Sequence, residues 1–124
     1  MSLAKKLASV KACIESQPGA VGSPLATASA PGVTLYKVKD KMFAILTVHR
    51  ITAVSLKCDP HLVEILRAKY DGVGHRGHLD RRFWISVNLD ADVPVKEINR
   101  LVAHSYGQVT AKLTRKQKAE LAAL

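Results

Sequence analysis

Acidic residues, cysteines and aromatic rings are all in short supply in this chain, and each shortage narrows what it does. Ten Asp and Glu face nineteen Lys and Arg, giving a formal net charge of +9 and a pI near 9.8. That surplus turns the search for a partner toward anions, with nucleic acid first. The competing reading is that the charge serves solubility alone. Two cysteines, Cys13 and Cys58, are too few for a disulfide framework. No apolar run approaches the roughly 18 residues of a membrane span. Leu3–Val10 is broken by Lys5 and Lys6, unlike a secretory leader, so a reducing, cytoplasmic setting is expected, with no membrane partner. Aromatic residues make up 5% of the chain and include one tryptophan, Trp84. A Gly-rich phosphate loop, carboxylates paired at a telling spacing, internal repeats and a linker are all missing. One non-catalytic domain over residues 1–124 is expected, with no catalytic residues and no cofactor. Its 48% hydrophobic content is that of an ordinary globular protein able to bury one core.

What is present is most informative at Arg82–Leu89, RFWISVNL. Phe83, Ile85, Val87 and Leu89 alternate with Arg82, Trp84, Ser86 and Asn88, the period of a strand with two unlike faces. One face suits a core. The other is polar and basic and carries the tryptophan.

The remaining elements follow from local signals. Leu3, Leu7, Val10 and Ile14 form a helical stripe over Leu3–Gln17, ended by Pro18-Gly19. Ala20–Gly32, uncharged and without periodicity, reads as a long mobile loop. Val33–Lys39 and Met42–His49 form a hairpin around Lys39-Asp40, where positive φ suits Asp better than Lys. Ala53–Cys58 is a third strand, with Val54, Leu56 and Cys58 on one face and Ala53, Ser55 and Lys57 on the other. Asp59-Pro60 caps a helix whose stripe is Leu62, Ile65 and Leu66, with Gly72 as its terminator. A basic loop, Gly74–Arg82, leads into the Trp84 strand. A long helix runs from about Val95 to Lys112 with Ile98, Leu101, Val102, Ser105 and Val109 on one side. Gly107 inside it implies a kink or close packing. Thr114…Gln117 is a capping box for a last short helix. Strands joined by hairpins indicate an antiparallel sheet, so the fold class is two-layer α+β, with helices backing one sheet face.

Four constellations carry chemistry. The first is an open sheet face of Ser55, Lys57, Arg82, Trp84, Ser86 and Asn88, in which cations meet phosphate and an aromatic ring meets a base. Against it stands the tendency of tryptophan to be buried. The second is a pair of basic protrusions: Lys37, Lys39 and Lys41 at the hairpin tip, and Arg76, Arg81 and Arg82 with His75 and His78 in the following loop. Two solvated loops would look the same. The third, His75-x-x-His78 with Asp80, falls short of a four-ligand zinc site, so no metal is expected. The fourth is nucleophilic chemistry at Cys13, Cys58, His104 or Ser105. None has a local signature, and Cys58 belongs to the apolar face of its strand.

The runs KVKDKMFAIL (Lys37–Leu46), AVSLKCDP (Ala53–Pro60), HLDRRFWISVNLD (His78–Asp90) and Val93-Pro94 with His104-Ser105-Tyr106 resemble the MmcQ/YjbR family. The resemblance covers nearly the whole chain from about Cys13. It implies a CyaY-like α+β fold and a small bacterial protein that binds DNA through a "double wing". It also marks Lys57, His78, Arg82 and Trp84 as functional candidates. Two departures stand out: Lys39-Asp40 replaces the family's Gly-Gly turn, and Ala20–Gly32 lacks its acidic and aromatic residues. An iron-binding role, the alternative suggested by frataxin-like proteins of similar fold, is disfavoured. Leu3–Gln17 has one acid, Glu15, against Lys5, Lys6 and Lys11, whereas hard cations want carboxylate oxygen.

The sequence thus points to a non-catalytic DNA-binding protein of weak sequence specificity. Lys37, Lys39, Lys41, Arg76, Arg81 and Arg82 would hold phosphates, with His78 beside them in the second wing and Lys57 and Trp84 on the sheet between the wings. Six neutralised phosphates would give a slope of log affinity on log salt of about −5. The alternative is a small-molecule or protein-interaction module using the Trp84/Lys57 face.

Overall fold

A computed structural model describes residues 1–25 and 31–124. Within them the chain forms α1 (Leu3–Glu15), β1 (Ala20–Pro24), β2 (Val33–Val38), β3 (Lys41–Val48), β4 (Thr52–Lys57), α2 (Pro60–Lys69), β5 (Val73–Gly74), β6 (Trp84–Asn88), α3 (Val95–Thr110) and α4 (Arg115–Ala122). The strands make one antiparallel sheet in the order β1-β2-β3-β4-β6-β5. Helices cover one face, and the core lies between the layers as expected.

Local signals fix most helix ends. The Asp59 carboxylate accepts from His61 N at 2.9 Å and Leu62 N at 3.4 Å at the start of α2. Thr114 and Gln117 exchange both bonds of a capping box at α4. In α3 all five stripe residues, Ile98, Leu101, Val102, Ser105 and Val109, are buried. In α2 the stripe differs: Val63 and Leu66 are buried, whereas Ile65 is 59% exposed. A ten-residue helix with few apolar side chains fits two rotations, and tertiary packing selects one. Gly72 terminates nothing. The helix ends at Lys69, and Gly72 N donates to Asp92 Oδ1 at 2.7 Å. A Cβ there would lie 2.7 Å from that of Ala91, so the glycine serves a close approach.

The segment read as a loop from Ala20 to Gly32 begins as an edge strand, with Ala20 opposite Val38 and Pro24 opposite Thr34. Its side chains are almost all exposed, so no face imposes a periodicity. Pro24 is tolerated because an edge strand can leave a donor out. Gly22 is required by packing: a Cβ would come 2.6 Å from the buried Tyr36 ring. Residues 26–30 of the expected loop lie outside the described residues.

The β2–β3 turn takes positive φ at both central residues, 49° at Lys39 and 64° at Asp40. This is the demand that a Gly-Gly pair would meet without strain. Between Tyr36 and Lys37 the register slips: Tyr36 faces Ala44 and Lys37 faces Met42, leaving Phe43 as a bulge. Phe43 and Ala44 are both fully buried, although neighbours in a regular strand point opposite ways. Phe43 stacks edge-on against Tyr106 of α3, ring centres 5.6 Å apart.

The two well-defined glycine sites make a matched pair for stability. Gly22→Ala should cost about 1–3 kcal/mol by forcing the Tyr36 ring to shift. Gly107 lies in open space, so neither a kink nor close packing requires it, and Gly107→Ala should add about 0.5–1 kcal/mol. Urea unfolding of both variants checks the signs.

A basic cleft at the end of the sheet

The bulge leaves two backbone groups to be satisfied. Lys57 N points toward β3, and the last paired residues there are Ala44 and Leu56. Ser105 Oγ fills the gap: it accepts from Lys57 N at 2.9 Å and donates to the Phe43 carbonyl. One hydroxyl therefore stands where the two strands would bond directly. Beyond it β3 and β4 no longer pair, and a cleft of about 400 Å³ opens at the end of the sheet.

Four elements meet there. Asp40, Lys41 and Met42 come from the hairpin, Lys57 from the end of β4, Trp84 from the start of β6, Val109 from the end of α3, and Lys112 and Leu113 from the turn that follows it. Lys57 and Trp84 are register partners. The end of α3 tightens into shorter-range bonds, Lys112 N to Val109 O and Leu113 N to Thr110 O, which brings Lys112 to the rim. A second recess of about 250 Å³, lined by Asp80 and Phe83, shares Lys57, Trp84 and Lys112. The buried Val109 and Leu113 with Met42 and Trp84 make the floor apolar, and the rim carries the three lysines and the Asp40 carboxylate. Among the described residues, Lys41, Lys57 and Lys112 take part in no ion pair.

Trp84 is half-buried, and both its backbone N–H and its carbonyl are hydrogen-bonded. Its N–H donates to Asp80 O at 3.0 Å, and its carbonyl accepts from Arg67 Nη2 at 3.1 Å. The Asp80 carboxylate in turn accepts from Arg82 N, Nε and Nη2 at 2.9 to 3.2 Å. These bonds from Arg82 hold the Asp80 carboxyl below its usual range.

The other predicted residues divide. Lys37 and Lys39 line a different groove beside α4, and Lys39 pairs with Glu120 at 3.3 Å. Arg76 does not protrude: its Nη1 donates to Thr47 Oγ1 at 2.7 Å. It thereby crosses the outer face from beside β5 to β3. That face is not open in its middle, where Ser55, Ile45 and Ala53 are all buried. His78 and Arg81 are exposed and outside the cleft, and Arg82 is spent on Asp80. Phe83, read as a core residue, is 37% exposed. Its place just ahead of β6, in the turn closed by the Phe83 N–Asp80 O bond, takes it out of the alternation.

The structure thus unites Lys41, Lys57 and Trp84 and adds Lys112, Met42 and Arg67. Sequence reasoning missed Lys112, whose only signal was its place in the cationic run Lys112-x-x-Arg115-Lys116-x-Lys118. Arg67 gave none.

The groups considered for chemistry are otherwise engaged. Ser105 bridges backbone, and His104 Nε2 accepts from Asp59 N at 3.2 Å. Cys58 is buried, which pushes its thiol up to about 11. No three metal-binding side chains converge among the described residues, and no described helix is long and apolar enough to cross a membrane.

If the bridge organises this end of the sheet, Ser105→Ala should cost about 1–3 kcal/mol, because Lys57 N–H and the Phe43 carbonyl lose their buried partner. Urea unfolding reads this directly. A loss below about 0.5 kcal/mol, the range of neutral surface changes, would contradict the bridge.

Known proteins share both sequence and architecture with this chain. A family model described as YjbR matches residues 16–108. The YjbR protein of Escherichia coli K12 is 37% identical over 92 residues, 73% of this chain and 78% of that protein. A crystal structure of a Deinococcus radiodurans DUF419 protein superposes with a TM-score of 0.80 at 26% identity, covering 91% of this chain and 85% of that one. A Pseudomonas syringae crystal structure has the same fold, with a TM-score of 0.67 at 21% identity over 87% of this chain and 98% of that one.

Proposed function

This chain belongs to the YjbR family, and from that premise we propose that it is a non-catalytic, cytoplasmic nucleic-acid-binding protein that grips phosphate at the end of its sheet. The observation that carries the reading is the convergence of Lys41, Lys57 and Lys112 on Trp84 in one cleft, with none of the three lysines in an ion pair among the described residues. Lysines so placed cost repulsion and gain nothing from each other, which an anion between them reverses.

The hairpin tip and the Gly74–Arg82 loop flank the cleft, but their charge is partly committed. Lys39 is paired with Glu120 and Arg82 with Asp80, while Arg76 keeps its charge but is drawn onto the sheet by the Thr47 hydroxyl. The electrostatic grip therefore rests on fewer residues than a count of basic side chains implies. Arg115 and Lys116 lie in the first turn of α4, where no acid balances them against the helix dipole. They extend the positive surface beyond Lys112. A small anionic molecule is the second reading, favoured by a cleft volume of about 400 Å³, which lies within the range of small-ligand sites.

Three neutralised phosphates give a slope of log affinity on log salt of about −2 to −3 rather than −5. Raising salt from 50 to 200 mM should then weaken binding of a labelled oligonucleotide roughly 15- to 60-fold. Fluorescence anisotropy reads this. Replacing Lys41, Lys57 and Lys112 together with Gln should flatten the slope, and replacing Lys37, Arg76 and Arg81 should leave it. A flat slope in the unaltered protein would contradict the proposal.

A further inference from the structure

The cleft has two chemistries, and phosphate explains only one. Met42, Trp84, Val109 and Leu113 give it an apolar, partly aromatic floor beneath a rim of three lysines and one carboxylate, Asp40. A duplex presents its phosphates outward and keeps its bases stacked inside, so it would leave such a floor empty. A single strand offers both parts at once: a charged backbone and an unstacked base whose face can lie against an indole. We infer that the preferred ligand is single-stranded nucleic acid, with one nucleotide seated in the cleft, its base on Trp84 and its phosphates on Lys41, Lys57 and Lys112. The inference rests on the nucleic-acid reading above and narrows it.

Three further features point the same way. The cleft, at about 400 Å³, has the dimensions of a small-ligand site rather than of a saddle for a double helix. The tip of the hairpin that would enter a major groove about 12 Å wide lies beside α4, with Lys39 paired to Glu120 at 3.3 Å. The Trp84 backbone is held from the helix side by Arg67 and from the loop by Asp80, so the strand position that carries the indole is fixed before any ligand arrives. Stacking on the indole and lysine contacts to phosphate are tolerant of base identity, so discrimination among bases should be weak, as for other stacking platforms.

Because Trp84 is the single tryptophan, intrinsic fluorescence reports on the proposed contact without a label on the protein. The test titrates a thymine 12-mer, the matching uracil ribo-12-mer, a 12-base-pair duplex and thymidine monophosphate. Anisotropy gives affinity, and Trp84 emission gives contact. The expected result is quenching by either single strand, with affinity at least about tenfold above both the duplex and the mononucleotide; the tighter of the two strands names the sugar. Trp84→Ala should lose about fivefold or more in affinity, as expected for one stacked base, whereas Trp84→Phe should keep most of it. Single-strand binding that leaves Trp84 emission unchanged would overturn the inference. So would a duplex bound as tightly as the single strand. In both cases the phosphate-gripping proposal stands. A mononucleotide bound as tightly as the 12-mer would make the ligand a small molecule and overturn the strand. No binding by any of the four would overturn both the inference and the proposal.

Discussion

The hydroxyl of Ser105 is the interaction on which this end of the molecule depends. The bulge at Phe43 adds one residue to β3, turns Phe43 into the core and removes the strand's direct bond to Lys57. Left alone, that change would strand a buried donor and a buried acceptor. Ser105 satisfies both from α3. The helix is thus fixed against the point where β3 and β4 part, and its last turn brings Lys112 opposite Lys57. Fold and cleft follow from one packing solution: what seats an aromatic ring in the core also opens the edge of the sheet.

Much of this architecture was legible in the sequence where its causes are local. Asp59-Pro60 announced α2 because the cap and the first turn are made by neighbouring residues. The α3 stripe was readable down to Ser105, since a helix buries what its period dictates. β1 was not legible, because an exposed edge strand imposes no alternation and its glycine answers to the distant Tyr36 ring. The bulge was hidden by composition: in MFAILTV nearly every residue is apolar, so a slip of one leaves the pattern unchanged. The cleft was half legible. Lys57 and Trp84 share a face by strand alternation, but Lys112 joins them only through the packing of a helix nearly thirty residues further on.

Charge follows the same division between local and distant causes. Counting cations suggested two basic wings. Three of the residues in them are instead bound within the protein, to Glu120, Thr47 and Asp80. Lys39 and Arg82, paired with acids, contribute less to an anionic partner than cations without an ion pair, and Arg76 is held by a neutral hydroxyl away from the hairpin tip. The cleft lysines line one cavity with Trp84, and although Asp40 lines it too, none of the three forms an ion pair among the described residues.

On the proposed function, the ligand sits at the cleft and not on the flanking loops. The most direct measurement is a titration of ¹⁵N-labelled protein with a thymine oligonucleotide, followed by NMR. The account predicts the largest shifts at the Trp84 indole N–H and the backbone amides of Lys41, Lys57 and Lys112, with Lys37 and Arg76 little moved. Shifts concentrated on Lys37, Arg76 and Arg81, with the Trp84 indole unmoved, would contradict it.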